Sequence, residues 1–331
     1  MAREAAEAAA GARLQIATCA DRFAELADRL RARPPNVIVT CARGSSDHAA
    51  TYGKYLLETT VGRVVASVGP SIASTYGRVP VVDGALFLAI SQSGRSPDLL
   101  RLTAAARTAG ALVVAIVNDP GSPLASHAEM VLPLCAGPET SVAATKSFLL
   151  TGVAFLQLAA AWTDDPELRA AVAGVPEALA AAAALDWMPG LAELASAASL
   201  FVIARGIGLG AAHEVALKLK ETCRLHAEAF SAAELRHGPI ALVGAGFPII
   251  ALAQNDATLP ATREALTDLA ALGATVRSTL DGSLPEVPGL PAVLAPLCQV
   301  QSFYLAVPKL AAARGHDADA PSHLRKVTET V

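Results

Sequence analysis

The sequence lacks an excess of basic charge. Its 331 residues carry 26 lysines and arginines against 30 aspartates and glutamates, giving a net charge of −4, and the two signs are interspersed along the chain. Proteins that bind nucleic acid or an anionic membrane surface concentrate positive charge on one face. The charge pattern therefore argues against both partners and favours a small-molecule ligand.

Cysteine is scarce as well. The chain has five cysteines, an odd number, and they are far apart with no CxxC pair: Cys19, Cys41, Cys135, Cys223 and Cys298. This spacing argues against a zinc site and against a disulfide framework. It predicts reduced thiols in a cytoplasmic protein, and we expect no metal and no cofactor.

Long uninterrupted apolar runs are absent. The first fifteen residues carry acids among alanines, which is unlike a signal peptide. The longest uncharged run, 287–308, is interrupted by four prolines, so it predicts a loop followed by a helix and not a membrane span. With 53% hydrophobic residues, the chain can bury a large core instead, in about two domains.

An internal repeat organises the chain. The β-branched run ending in Ala42-Arg-Gly44 recurs in the second half as a run ending in Ala204-Arg-Gly206. Each copy is followed by a helical segment that ends in an acid, at Glu58 and at Glu221. Second apolar strands also align, since Gln92 and Gln254 are separated by the same offset as the two Ala-Arg-Gly triplets. The sequence therefore contains two copies of one unit.

Each copy is predicted to alternate strands with helices. Near-continuous apolar strands are typical of a parallel sheet covered on both faces, so we expect an α/β fold of two tandem doubly wound modules. The expected organisation is an N-terminal helical segment at 1–24, a first module at 25–164, connecting helices at 165–198 and a second module at 199–331. In such sheets ligands bind beyond the carboxyl ends of the strands.

Two polar loops at predicted strand ends are candidates for phosphate binding. Ser91-Gln-Ser-Gly-Arg-Ser96 precedes a helical segment, and hydroxyl groups with exposed amides at a helix N-terminus can surround an oxyanion. The loop that contains Ser45 and Ser46 also ends a strand. Ordinary N-capping remains an alternative for the serines, and it also explains the segment of small residues before Lys146.

A glycine motif offers a rival interpretation. Gly206-Ile-Gly-Leu-Gly-Ala211 fits the GxGxxA pattern of dinucleotide-binding proteins and follows a strand. The acid expected about 20 residues later, at the end of the next strand, is missing, because that strand ends in Gln254-Asn255. Dinucleotide binding is therefore the weaker hypothesis.

Three charged residues share one face of the helix after the glycine motif. Glu214, Lys218 and Glu221 have the spacing i, i+4, i+7, which fits either a solvated ladder of ion pairs or a site for proton transfer. The following polar segment contains Glu228, Glu234 and His237, and histidine titrates near neutral pH. At the C-terminus, Lys326 either folds toward a site or only adds solubility.

Five ordered motifs resemble the SIS (sugar isomerase) family, in particular the isomerase half of glutamine:fructose-6-phosphate aminotransferase and its stand-alone relatives. The resemblance extends from about residue 25 to the end of the chain. The motifs are Ser91-Gln-Ser-Gly94, the segment 137–146, Ala216-Leu-Lys-Leu-Lys-Glu221, the segment 226–239, and the segment 314–321 followed by Leu324-Arg-Lys326.

The resemblance implies a role for each matching position. Glu221 would move a proton between C1 and C2 with Lys218 beside it, His237 would open the sugar ring from a neighbouring subunit, and Lys326 would approach the carbonyl. The phosphosugar would be bound by the remaining matching residues, which are Ser45, Ser46, Ser91, Gln92, Ser93, Ser96 and Ala144. A homodimer is thus implied, with the C-terminal tail of the second module in the active site.

The same resemblance directs the choice of reaction. The short N-terminal segment predicts that no glutaminase domain is present, so we expect a deaminase that converts glucosamine 6-phosphate to fructose 6-phosphate and ammonia. A fructosamine-6-phosphate deglycase, a simple phosphosugar isomerase and a sugar-phosphate sensor remain alternatives, as does a galacto substrate. Arg43 and Ser322 depart from the aminotransferase, which has cysteine and arginine there, so contacts at these positions stay open.

Overall fold

The computed structural model describes residues 1–326, and the last five residues of the predicted second module, 327–331, lie outside the described residues. Within residues 1–326 there are nine strands, and every paired strand is parallel to its neighbour. They are β1 (Ile38–Cys41), β2 (Val65–Ser67), β3 (Leu86–Ser91), β4 (Leu112–Val117), β5 (Met130–Pro133), β6 (Ser199–Ala204), β7 (His226–Ser231), β8 (Pro248–Ala251) and β9 (Thr275–Ser278).

Helices separate most of these strands, and in the described part of the chain there are twelve α-helices. They are α1 (Ala2–Ala6), α2 (Ala8–Ala32), α3 (Ser45–Thr60), α4 (Ser71–Ser74), α5 (Pro97–Thr108), α6 (Pro123–His127), α7 (Lys146–Thr163), α8 (Pro166–Ala183), α9 (Met188–Leu191), α10 (Leu209–Cys223), α11 (Leu259–Ala271) and α12 (Ala295–Ala313). The prediction of a loop and then a helix over 287–308 is confirmed by α12, which includes Pro308.

The first sheet has the strand order β2-β1-β3-β4-β5. Its central strands β1 and β3 are buried at every position, as expected for apolar strands covered on both faces. The parallel register pairs Cys41 with Ala89, and Ser91 with Val117. The carboxyl ends of β1, β3 and β4 therefore meet at one edge of this sheet.

The second sheet has the order β7-β6-β8-β9, which repeats the arrangement of the first four strands of the first sheet. The prediction of an α/β fold with two parallel sheets is confirmed. The strand β7 was not anticipated, because its residues alternate between exposed polar side chains, such as His226 and Glu228, and the buried Ala227. That alternation fits its place at the edge of the sheet.

The chain forms two compact units that do not follow the sequence continuously. One contains 1–9, 141–145 and 176–324, with the second sheet, and the other contains 10–140, 146–175 and 325–331, with the first sheet. The predicted domain boundaries remain predictions. Within residues 1–326, no single helix is long and apolar enough to cross a membrane, and only the bent pair 166–183 and 188–195 meets those criteria together.

Close helix packing beneath the first sheet depends on one glycine. A Cβ atom added to Gly53 of α3 would overlap the ring of Phe155, which lies in α7. Helix α7 is buried over nearly its whole length. Glycine therefore lets the two helices approach and fixes α3, whose first turn carries Ser45 and Ser46, against the rest of its unit.

Candidate active site

The loop after β3 is folded by its own hydroxyl groups. Ser91 Oγ accepts the Gly94 N–H at 3.0 Å, and Ser93 Oγ accepts the Arg95 N–H at 3.4 Å. Gly94 has a φ of 63°, and a Cβ atom there would overlap Ser122 Oγ, so only glycine fits this turn. Ser91 is buried, whereas Gln92 and Ser93 are half-buried. The predicted phosphate loop is therefore a tight turn with its polar groups at the sheet edge.

Ser96 is the N-cap of α5, a helix of 12 residues that has Pro97 at its first position. In the described part of the chain its side chain makes no capping hydrogen bond, so the simple capping alternative does not account for it. The first N–H groups of a helix lack partners within the helix and carry a partial positive charge. Together with Ser91 and Ser93, this helix start is suited to bind an oxyanion.

A second helix begins at the neighbouring strand end. Ser45 and Ser46 form the first turn of α3, after Gly44, whose φ of 54° makes the bend and whose carbonyl accepts the N–H groups of Asp47 and His48. Because β1 and β3 are adjacent and parallel, this turn and the Ser91 loop lie at the same edge of the sheet. The structure thus brings together the six predicted phosphate-binding residues of the first module, which are Ser45, Ser46, Ser91, Gln92, Ser93 and Ser96.

Arg43 joins these two loops through a buried carboxylate. Its Nε and Nη2 atoms donate to Asp98 Oδ2 at 3.1 and 2.7 Å, and Asp98 Oδ1 accepts the Leu99 N–H at the start of α5. The Asp98 side chain is fully buried, while that of Arg43 is 50% exposed. Burial, aided by the charge of Asp98, raises the pKa of nearby Cys41 to about 12, so this thiol is not a nucleophile at neutral pH.

The charged face of α10 is a buried cluster and not a solvated ladder. The Lys218 ammonium lies 3.2 Å from Glu214 Oε1 and 2.7 Å from Glu221 Oε2. The side chains of Lys218 and Glu214 are 1% and 0% exposed, whereas that of Glu221 is 21% exposed. The prediction that the three side chains share one face is therefore confirmed, and only Glu221 keeps partial access to solvent.

Burial alone would lower the pKa of Lys218, because it penalises the charged form. The charges of Glu214 and Glu221 and their hydrogen bonds outweigh that penalty, and the pKa of Lys218 lies above its ordinary value. Lys218 is thus a fixed ammonium beside the carboxylate of Glu221. This ion pair holds the Glu221 carboxylate in place, which suits a residue that moves a proton.

His237 lies in the same unit as this cluster, in the segment after β7. It ends a short 3₁₀ helix, Glu234–His237, and is exposed. Within residues 1–326, no hydrogen bond or ion pair links it to Glu214, Lys218 or Glu221. The predicted ring-opening role therefore has no support from contacts inside one chain.

Lys326 contacts a carboxylate that the sequence analysis assigned no role. Its Nζ lies 3.3 Å from Glu139 Oε2, and the Glu139 side chain is fully buried. Glu139 also accepts the Ser147 N–H and hydroxyl at 3.1 and 2.7 Å, at the start of α7. An acid within a stretch of small residues was the signal that could have identified Glu139. The Lys326 side chain is only 23% exposed and is folded onto Glu139, and its role near the substrate carbonyl stays a prediction.

Ala144 belongs to the segment 141–145, which is part of the other unit. The Ser141 N–H donates to both oxygens of Glu4 at 3.3 Å, and Ser141 Oγ donates to Asp319 at 2.9 Å. These contacts fix the backbone that carries Ala144. Glu4 and Asp319 are far from residue 144 in sequence, so spacing gave no signal for them.

The second module has a different loop at the corresponding strand end. Asp256 Oδ1 accepts the Thr258 N–H at 2.8 Å and its hydroxyl at 2.5 Å, while Gln254 Nε2 donates to Asp256 Oδ2 at 2.9 Å. A Cβ atom at Gly208 would meet Gln254 Oε1 in close overlap. Packing of Gln254 therefore accounts for a glycine of the GxGxxA motif without a dinucleotide. Within residues 1–326, no group of three or more His, Cys, Asp or Glu residues is arranged to hold a metal ion.

Curated proteins that resemble this chain include the glutamine–fructose-6-phosphate aminotransferase (isomerizing) of Legionella pneumophila (strain Lens), which is 36% identical over 322 residues. The alignment covers 92% of this chain and 52% of that protein. The enzyme of the same name from Aeropyrum pernix is 36% identical over 309 residues, with 86% and 49% covered. The chain thus spans about half the length of these curated relatives.

Solved structures show the same likeness over nearly the whole chain. A candidate phosphosugar isomerase from Silicibacter pomeroyi DSS-3 is 44% identical with a TM-score of 0.91, and 96% of this chain and 99% of that chain are covered. The C-terminal domain of glucosamine-fructose-6-phosphate aminotransferase from Francisella tularensis is 26% identical, with a TM-score of 0.84 and 97% and 96% covered. Glucosamine-6-phosphate deaminase from Thermotoga maritima shares the fold at 20% identity and a TM-score of 0.77, with 97% and 100% covered.

The family that the five motifs predicted is confirmed by a direct match. The SIS domain matches this chain twice, over residues 33–161 and 193–280, and these ranges contain the two parallel sheets. The chain therefore belongs to the SIS domain family.

Proposed function

We propose that this protein is a phosphosugar enzyme that converts glucosamine 6-phosphate and water to fructose 6-phosphate and ammonia. The observation that carries the proposal is the buried Lys218 ammonium, which holds the partly exposed carboxylate of Glu221 at 2.7 Å. A protein that only senses a ligand has no need of a carboxylate positioned in this way. The names of the relatives, which include phosphosugar isomerases and aminotransferases, support the same class of reaction.

The first module is proposed to bind the phosphate. The N-terminus of α5, with the hydroxyl groups of Ser91, Ser93 and Ser96, supplies neutral donors and the positive end of a helix dipole. The side chain of Gln92 and the first turn of α3, with Ser45 and Ser46, add donors at the same edge of the sheet. The backbone at Ala144 is proposed to contact the sugar.

The second module is proposed to carry out the proton transfer. His237, contributed by the partner in a homodimer, opens the sugar ring. Glu221 removes the proton from C2, and the electron pair passes to the C1 carbonyl, whose oxygen takes a proton to give an enolamine. Glu221 then returns the proton to C1 as the nitrogen lone pair forms the C2 imine and the nitrogen gives up one proton, so C1 becomes an alcohol. Water adds to C2 of this imine, the C–N bond breaks, and ammonia leaves as the C2 ketone forms. Because the C1 carbonyl accepts the electron pair from C2, this sequence needs no metal.

Lys326 is proposed to approach the substrate carbonyl, with Glu139 holding its ammonium at 3.3 Å. An amine that is to form an imine with a carbonyl must lose its proton, and a neighbouring carboxylate can accept that proton. A phosphorylated sugar as substrate agrees with a cytoplasmic location, as do the reduced thiols that the sequence predicts.

The test is a product assay on the purified protein with four substrates. Glucosamine 6-phosphate should yield ammonia and fructose 6-phosphate in equal amounts, and galactosamine 6-phosphate measures the preference at C4. Glucose 6-phosphate tests simple isomerisation, and a fructosamine 6-phosphate derived from an amino acid tests deglycation. Turnover of glucosamine 6-phosphate without ammonia, or turnover of only one of the last two substrates, would contradict the proposed reaction.

A control separates chemistry from binding in the same assay. Binding of glucosamine 6-phosphate without turnover of any of the four compounds would instead indicate a sugar-phosphate sensor. Glu228, an exposed glutamate on β7, provides a matched variant, because Glu228→Gln removes a carboxylate close in sequence to Glu221 and should leave ammonia release unchanged.

A further inference from the structure

A tyrosine from a distant part of the chain completes the buried cluster on α10. Tyr304 lies on α12 and is fully buried, and its hydroxyl donates to Glu214 Oε1 at 2.7 Å. Residues 214 and 304 are 90 positions apart, so no local pattern connects them. The packing of α12 against α10 is what brings the phenol to the carboxylate.

One oxygen of Glu214 is shared by two donors. The Tyr304 hydroxyl is 2.7 Å from Glu214 Oε1, and the Lys218 ammonium is 3.2 Å from the same atom. The distance from Lys218 to Glu221 is shorter, at 2.7 Å. A carboxylate oxygen that accepts a strong hydrogen bond from a phenol attracts a second donor less. The phenol therefore favours the contact of Lys218 with Glu221 over its contact with Glu214.

Burial strengthens the preference of Lys218 for Glu221 over Glu214. Glu214 and Lys218 are both removed from solvent, so water cannot replace a lost hydrogen bond at either group. Without the phenol, Glu214 would lose one of its hydrogen-bond donors, and its attraction for the Lys218 ammonium would increase. That movement would lengthen the contact between Lys218 and Glu221 and free the partly exposed Glu221 side chain to change rotamer.

We propose that Tyr304 is a positioning residue for the proton-transfer base: by holding Glu214, it keeps Lys218 on Glu221 and Glu221 in its reactive orientation. This inference rests on the proposed function, in which Glu221 moves the proton between C2 and C1. Tyr304 does not itself touch the reacting atoms in this account. Its effect should appear in turnover and not in the binding of the phosphate.

The test compares Tyr304→Phe with Ser302→Ala on the same helix. Ser302 is also buried, and its hydroxyl donates to the backbone carbonyl of Ala182 at 2.8 Å, so both variants lose one buried hydroxyl hydrogen bond. Tyr304→Phe should lower kcat for ammonia release about tenfold with KM within about twofold of wild type. Ser302→Ala should leave both constants within about twofold. Equal kcat values for Tyr304→Phe and wild type would overturn the proposal.

A double-mutant cycle identifies the route of the effect. If Tyr304 acts through Glu214, the double variant Tyr304→Phe/Glu214→Gln should have the kcat of Glu214→Gln alone, because the phenol no longer has a charged partner to hold. Losses that multiply independently would show that Tyr304 acts by another route, which would overturn the proposal.

A measurement without substrate distinguishes failure of this inference from failure of the proposed function. The chain has six lysines, so the side-chain ammonium of Lys218 can be followed by NMR after labelling lysine with ¹⁵N. Its resonance should shift in Tyr304→Phe and stay in place in Ser302→Ala. A shift in a protein that turns over no sugar phosphate would retain the positioning role and reject the function, whereas an unshifted resonance in Tyr304→Phe would reject the positioning role.

Discussion

The loops 91–96 and 253–258 stand at corresponding places in the two modules, and each joins a strand to a helix. In the first, serine hydroxyls fold the turn, and the N-cap Ser96 makes no capping bond among the described residues. In the second, the carboxylate of Asp256 already accepts the N–H and hydroxyl of the N-cap Thr258. The N-terminus of a helix attracts an anion in either module, but in the second module the carboxylate of Asp256 is itself that anion.

The helices that follow the first strand of each module, α3 and α10, also differ in the contacts of their charged residues. In α3, Glu58 Oε1 contacts Lys54 at 2.5 Å and accepts the Val65 N–H at 2.9 Å, so the pair attaches the helix to β2. Burial would raise the pKa of Glu58, but the hydrogen bonds from Lys54 and Val65 outweigh it and lower the pKa. In α10, the corresponding pair is Lys218 and Glu221, and Lys218 also forms an ion pair with Glu214. The two modules thus share one architecture, while the charged pair on the corresponding helix makes different contacts in each.

The largest effect should come from exchanging carboxylate for amide in these two pairs. Glu221→Gln should lower kcat by about 10²-fold or more, because the amide cannot accept the C2 proton. Glu58→Gln removes the corresponding acid of the first module and should leave kcat within about twofold. Steady-state kinetics of ammonia release measures both. Equal losses in the two variants would break the comparison between α3 and α10.

The next effect concerns helix packing, and it is on stability. In the register that pairs Glu58 with Glu221, Gly53 of α3 corresponds to Ala216 of α10, so only the first module requires a glycine here. Gly53→Ala should cost about 1–3 kcal/mol of unfolding free energy, because the new methyl group overlaps Phe155. Gly174→Ala in α8 meets no atom of the described residues within 4 Å and should stabilise the protein by about 0.5–1 kcal/mol. Urea denaturation measures both, and a neutral Gly53→Ala would contradict the packing argument.

A smaller effect should separate the two N-cap residues. Ser96→Ala should raise KM for the sugar phosphate about tenfold, which corresponds to the loss of a hydrogen bond to a charged group of about 1.4 kcal/mol. Thr258→Val removes the hydroxyl that bonds Asp256 and should cost about 1 kcal/mol of stability without changing KM. The comparison fails if Thr258→Val raises KM as much as Ser96→Ala does.

The smallest effect should be a pH dependence at the strand end of the second module. Gln299 Nε2 donates to the Ala253 carbonyl at 2.5 Å and to Glu286 Oε1 at 2.6 Å, which closes this end with protein groups. Burial raises the pKa of Glu286 above its ordinary 4.5, although the hydrogen bond from Gln299 opposes the shift. The stability from this group is therefore full below pH 4.5 and declines as pH rises through the raised pKa.

Glutamine at this position does not titrate and can still accept the hydrogen bond. Glu286→Gln should therefore be slightly more stable than wild type at pH 7, and the difference should shrink toward zero near pH 4. Urea denaturation at the two pH values gives the comparison. A variant that is less stable than wild type at pH 7 would show that the charge of Glu286 is favourable in the folded protein.

Much of the fold and of the candidate site follows from local sequence patterns, and the remainder depends on contacts between distant parts of the chain. The spacing of Glu214, Lys218 and Glu221 was enough to place them on one face, because helical periodicity is local. Their burial depends on α12, which lies beyond three further strands and α11 in the chain, so the sequence left a solvated ladder open. The sequence did not indicate the contact of Glu139 for a similar reason, since its partner Lys326 is 187 positions away.

The central claim is that the first module holds the phosphate while Glu221 performs the chemistry. The most direct test is the Kd of Glu221→Gln for 2-amino-2-deoxyglucitol 6-phosphate, an open-chain analogue with no carbonyl to react, measured by isothermal titration calorimetry. We expect a Kd within about threefold of wild type in a variant that releases ammonia about 10²-fold more slowly. A variant that loses most of its affinity for the analogue, or one that retains full turnover, would contradict it.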